Sequence, residues 1–131
     1  MDYLLQITLL NVALLGLLLL GQPLVRDIKV GLRYTLSNFD KRVDEGVLAR
    51  RLAMVCSNQI EALVLWVPTV AIGQLLAIEH SSLLALGATF LTARVAYAAV
   101  SLLGVPVLRS TFWTIGFGAW AYLAWIVWSQ V

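Results

Sequence analysis

The stretch RLAMVCSNQIEALVLWVPTV, residues 51–70, decides how the chain is read. Most of it is apolar enough for a membrane span, yet Asn58 and Glu61 interrupt it three positions apart, on one face of a helix. A second interruption, Arg94-Val95-Ala96-Tyr97, repeats the spacing in another apolar run, and Arg109 is a third lone charge. A charge at the centre of a span costs roughly 3 kcal/mol on insertion scales. Such a residue is kept for a partner or a task.

Working outward, the chain has 131 residues, of which 61% are hydrophobic and only 12% charged, with a mean hydropathy of +0.90. A soluble domain of this size has no interior large enough for that apolar surface, so a lipid bilayer is the expected solvent. Four apolar segments, 3–25, 47–76, 82–104 and 107–130, each approach the ~20 residues that cross the hydrocarbon core. Lipid offers the backbone no hydrogen bonds, so all four are expected to be helices. The expected fold is all-α, an integral membrane four-helix bundle in one domain, with a connecting loop over 26–46.

Gly21, Pro23 and the Arg26–Lys29 cluster are expected to end the first helix, and acidic Asp44 and Glu45 to introduce the second. Ser81 or Ser82 is the expected N-cap of the third, and Gly104-Val105-Pro106 the last turn. Asp2 stands where a removable signal would carry basic residues, so the N-terminal run is read as a span.

All nine Lys and Arg fall between Arg26 and Arg109, seven of them between Arg26 and Arg51. Asp27, Asp40, Asp44 and Glu45 are interspersed, which describes a mixed-charge loop and excludes a nucleic-acid surface. Residues 1–2, 79–82 and 129–131 contain no Lys or Arg. The positive-inside rule therefore places loop 26–46 in the cytoplasm and both termini on the non-cytoplasmic side. The single Cys56 excludes an internal disulfide and reads as a packed thiol. One histidine, His80, and no cysteine pair leave no set of side chains for a zinc or haem site.

The second and third helices, joined by a short turn, are expected to be antiparallel neighbours. Glu61 lies ten residues after Arg51 and Arg94 ten before Gly104, which puts both about 15 Å from one end of the bundle. That count pairs Glu61 with Arg94, and similarly Asn58 with Tyr97. The bland reading is polar glue between helices. The functional one is a polar crevice for an anionic, peptide-like ligand, with guanidinium for carboxylate, Asn for amide and Glu for ammonium. On the fourth helix, Trp113, Trp125 and Trp128 read as interface anchors, or alternatively the tryptophans as an aromatic wall, and Gly116 and Gly118 as close-packing positions.

Arg51-x6-Asn58-x2-Glu61, Arg94-x2-Tyr97 and Leu108-Arg109-Ser110, in this order across four expected helices, resemble the MAPEG family, most closely its short bacterial members. These are membrane-associated proteins of eicosanoid and glutathione metabolism. The resemblance implies a homotrimer, in a bacterial inner membrane, with glutathione as co-substrate. Carried over, Arg51, Asn58, Glu61, Arg94 and Tyr97 contact glutathione or shape its site, and Arg109 is the catalytic residue that faces the thiol. The implied activity is a glutathione-dependent transferase or peroxidase acting on a lipophilic electrophile. Met54, Ser57 and Ser101 stand where relatives often carry arginine, a basic residue and tyrosine. They motivate a second reading, a catalytically silent structural or interaction subunit of a larger membrane complex. A transporter is a weaker third, because one acid–base pair makes little of a pathway.

Overall fold

Apolar runs in lipid satisfy their backbones internally, and the chain does so with helices throughout. The computed structural model describes residues 2–131. Its helices are α1 (Asp2–Val30), α2 (Leu32–Thr35), α3 (Gly46–Leu75), α4 (Leu83–Leu103) and α5 (Pro106–Trp128), and no strand occurs among the described residues. Each of the four long helices overlaps one of the four apolar segments. The fifth, α2, is a single turn inside the connecting segment that the sequence reading left as loop.

Three helices, α1, α3 and α4, are long and apolar enough to cross a membrane. The 23 residues of α5 are diluted by Trp, Tyr, Gly, Ser and Thr, and it is not among them. Large apolar side chains such as Leu17, Leu20, Val64 and Leu103 face outward, as a lipid solvent allows.

The first helix corrects the expectation that it ends near Val25. It runs through Pro23 to Val30, because a single proline removes one donor while the ladder beyond it stays intact. The break falls at Gly31, whose φ of 96° a side chain would resist. At about 1.5 Å per residue, α1 is about 43 Å long, beyond the ~30 Å of a hydrocarbon core, and its last turns are polar. There Arg26 meets Glu45 at 3.8 Å, donates to Thr35 Oγ1 at 3.2 Å and lies 4.9 Å from the Phe39 ring centre. Thr35 in turn donates to Asp27.

Asp44 anchors the start of α3. It accepts from Gly46 N–H at 3.0 Å and faces Lys29 at 3.6 Å and Arg50 at 3.2 Å. The Gly46 N–H, then Lys29 and Arg50, hold its carboxyl below the ordinary carboxylate range. Ser82 occupies the N-cap position of α4, but its side chain makes no capping bond. His80 Nδ1 accepts from Ser82 N–H at 3.2 Å instead, so the lone histidine closes the turn. Gly104, at φ 81°, ends α4, and Pro106 opens α5.

Two apolar clusters stack along the bundle. One joins Leu4, Ile7, Trp66, Phe90 and Leu123, with Trp66 and Phe90 stacked at 3.9 Å. The other joins Leu18, Leu52, Val55, Cys56, Tyr97 and Ala98, so the free thiol is packed as expected. Between α1 and α4, a Cβ on Gly87 would come within 2.6 Å of Ile7 and 2.7 Å of Leu4. Only a glycine permits that approach without movement.

Candidate functional site

Arg94 is 2% exposed and sits between the two apolar clusters. A guanidinium there needs its N–H groups satisfied. Its Nε donates to Gln59 Oε1 at 2.9 Å and its Nη2 to Asn58 Oδ1 at 2.6 Å. The Tyr97 ring lies 4.8 Å from the guanidinium carbon. Gln59 Nε2 then donates to the carbonyl and side-chain oxygens of Asn11, at 3.2 and 3.4 Å, and Asn11 Nδ2 donates to Ile7 O at 3.0 Å. A polar chain thus crosses from α4 through α3 to α1.

This corrects both expected pairings. Glu61 makes no ion pair with Arg94: the ion pairs among the described residues all lie at the connecting segment. Glu61 is exposed and accepts from Ser57 Oγ at 3.4 Å, one turn back on α3. Asn58 serves Arg94 and not Tyr97. Neutral amides satisfy the guanidinium without a second ion having to lose its water, which favours them at such depth. Gln59 and Asn11 were missed as participants. The available signal was that both are polar residues inside apolar runs.

Three adjoining recesses follow α3 towards α5. In the deepest, a cavity of ≈ 90 Å³, Asn58, Glu61 and Arg94 face the aromatic rings of Phe90, Trp113, Phe117 and Trp120. The next, ≈ 300 Å³, is bounded by Met54, Tyr97, Arg109 and Trp113. The third, ≈ 200 Å³, has Arg51, Met54, Ser101, Gly104 and Arg109 in its wall. Trp113 is shared by the first two, and Met54 and Arg109 by the last two. All six residues singled out in the sequence therefore line one broken groove. Arg109 Nη1 donates to Met54 Sδ at 3.4 Å, and Arg51 Nη1 to Leu102 O at 3.1 Å, at the carboxyl end of α4.

The tryptophans divide. Trp120 donates to Leu65 O and Thr69 Oγ1, at 3.1 and 3.0 Å, binding α5 to α3. Trp113 stacks on Phe117 at 5.2 Å, while Trp125 and Trp128 are exposed at the far end of α5. Gly116 is buried, but a Cβ there would meet Ala93 at 3.5 Å and Arg94 at 3.6 Å, ordinary contact distances that do not require a glycine. Gly118 has nothing within 4 Å, so its expected packing role is not observed.

The class defined by these features is a small all-helical integral membrane protein with a polar groove entering an apolar bundle. The MAPEG family model matches residues 6–128, nearly the whole chain, and the chain belongs to the MAPEG family. No curated protein and no solved structure matches it.

Proposed function

We propose that the protein binds glutathione in this groove and transfers it to, or uses it to reduce, a lipophilic electrophile. The observation that carries the reading is the shared groove. Guanidinium groups of Arg51 and Arg109, the Asn58 amide and the Glu61 carboxylate supply the partners a peptide with carboxylates, amides and an ammonium needs. The aromatic wall beside them suits an apolar co-substrate. In this reading Arg109 favours thiolate over thiol, since a nearby cation depresses a thiol pKa from about 8.5 towards neutrality. The thiol proton leaves to water, the sulfur lone pair forms the bond to the electrophile, and the displaced group departs with its electron pair. In the reducing branch a second glutathione thiolate attacks that sulfur and glutathione disulfide leaves, so two thiols supply the two electrons.

The deepest cavity, ≈ 90 Å³, is smaller than the roughly 300–1,000 Å³ of ordinary ligand pockets. A neighbouring copy completes the site in this reading, in a homotrimer whose protomers span the membrane four times, α5 included. The basic connecting segment faces the cytoplasm of a bacterial inner membrane, with both termini outside. A cysteine placed at Ser37 should then react with impermeant thiol reagents only after cells are opened; labelling in intact cells would reverse the orientation.

The silent-subunit reading draws support from Met54, whose sulfur occupies one Arg109 donor. Calorimetric titration of the detergent-purified chain separates the two. The enzyme reading expects saturable heat and a rise in thiolate absorbance that Arg109→Ala abolishes. No heat at millimolar glutathione leaves the silent subunit.

A further inference from the structure

We propose that the recess between Arg51, Ser101 and Arg109 is a binding site for a phosphate-type oxyanion. The proposal shares Arg51 and Arg109 with the glutathione reading, and it is tested by phosphate binding in the absence of glutathione. Two guanidinium groups enter one space of ≈ 200 Å³, and no acidic side chain lines it. Each has spent one donor on a neutral acceptor, Leu102 O for Arg51 and Met54 Sδ for Arg109. A guanidinium carries five N–H donors, so both keep capacity for an anion. The other half-buried or buried arginines differ: Arg26 meets Glu45, and Arg94 donates to two amides and lines a different cavity, which Glu61 shares.

The third wall is the stronger sign. Ser101 is 2% exposed and its Oγ has no hydrogen-bond partner. Elsewhere in these helices Thr8, Thr69, Thr92, Ser110, Thr111 and Thr114 all donate to the carbonyl four residues back. Ser101 is the one buried hydroxyl among the described residues with no partner at all, and it stands in the wall of a recess with two cations. Buried hydroxyls are ordinarily bonded, so an unpartnered one in the wall of a recess is a donor still to be satisfied.

Gly104 holds the arrangement. The Arg51 guanidinium lies where a Cβ would be, with its central carbon 2.6 Å and Nη1 2.8 Å from that position. Two guanidinium groups and a hydroxyl in the wall of one recess suit a group with several acceptor oxygens. A phosphate group presents three around one centre, where a carboxylate presents two. Depth agrees. Arg51 is in the second turn of α3, Gly104 ends α4 and Arg109 is in the first turn of α5, so the recess opens at one end of the bundle. Basic pockets between spanning helices at that level take anionic headgroups. The phosphate can therefore come from a phospholipid or from solution.

The full chain, purified in detergent and stripped of lipid, tests this in two arms. Inorganic phosphate is titrated in chloride buffer while the melting temperature is followed. Separately, the chain is reconstituted with anionic phospholipid and retained lipid is counted by native mass spectrometry. Saturable stabilisation by phosphate identifies a soluble ligand, and retained phospholipid alone identifies a headgroup. In whichever arm binds, Arg51→Gln should weaken binding about a hundredfold and Ser101→Ala roughly tenfold. The ligand-free Ser101→Ala protein should melt at the same temperature or higher, because an unpartnered buried hydroxyl has been removed. If Arg51→Gln does not fold, Ser101→Ala decides. Absence of both phosphate and phospholipid binding, or unchanged binding by Ser101→Ala, overturns the proposal.

Discussion

Arg94 and Arg109 belong to neighbouring recesses of one groove, yet their surroundings differ. Arg94 is enclosed, with Nε and Nη2 bonded to side-chain amides and a ring against its face. Arg109 is half-buried, and its described bond goes to a thioether, a weak acceptor. The first arrangement holds Arg94 by two charge-assisted bonds and, through Gln59, ties α4 to α3 and α1. The second is held by a weak acceptor, and our proposal places ligand chemistry there. The buried cation builds the protein, and in that proposal the half-buried one is available for a ligand.

The largest expected effect breaks the enclosed region. Gln59→Ala removes the acceptor for Arg94 Nε and the donor to Asn11, leaving a buried guanidinium short of a partner. A loss of roughly 3 kcal/mol is expected in unfolding measurements on the purified protein. A change below about 1 kcal/mol would mean that Arg94 finds other partners and the contrast with Arg109 is false.

Met54→Arg acts on the open region. A third cation beside Arg51 and Arg109 should lower stability by about 1 kcal/mol at low salt, recovering as salt is added. Under the glutathione reading it should also tighten glutathione binding about tenfold by adding a carboxylate contact. Lost assembly with no binding would favour the silent subunit. Smaller still is Glu61→Ala, expected within about 1 kcal/mol of the parent, because Glu61 is exposed and not paired with Arg94. A loss near that of Gln59→Ala would restore the Glu61–Arg94 pair.

The smallest effect lies outside the spans. Asp44 has a lowered pKa, from the Gly46 N–H first and Lys29 and Arg50 after it. A lowered carboxyl contributes stability that is present above its unfolded value and lost as pH falls through its folded one. Asp44→Asn should therefore flatten the acid side of the stability profile slightly. A steeper acid loss in the variant would contradict the assigned partners.

The long helices were legible because apolar length is a direct consequence of the lipid solvent. The end of α1 was not. Its last turns are polar and carry no apolar signal, and they stay helical because Glu45, Thr35 and Asp44 collect their side chains. The groove residues were legible as charges and amides in apolar runs. Their partners were not, since counting residues from helix ends gives depth but not rotation. The turn of α3 about its axis decides whether residue 59 or 61 faces Arg94, and close packing sets that turn, from the contacts of Trp66 with Phe90 and Thr8 to those of Val55 and Cys56. Ser101 read as a departure from related sequences; its unpartnered hydroxyl became visible only with the helix around it.

The most direct comparison measures unfolding stability and glutathione binding on Gln59→Ala and Arg109→Ala side by side, in the same detergent. Gln59→Ala should lose stability and, at temperatures where it remains folded, still produce the thiolate absorbance. Arg109→Ala should melt within a few degrees of the parent and produce none. Loss of stability in Arg109→Ala with its thiolate signal intact would contradict the division between a cation that builds and a cation that acts.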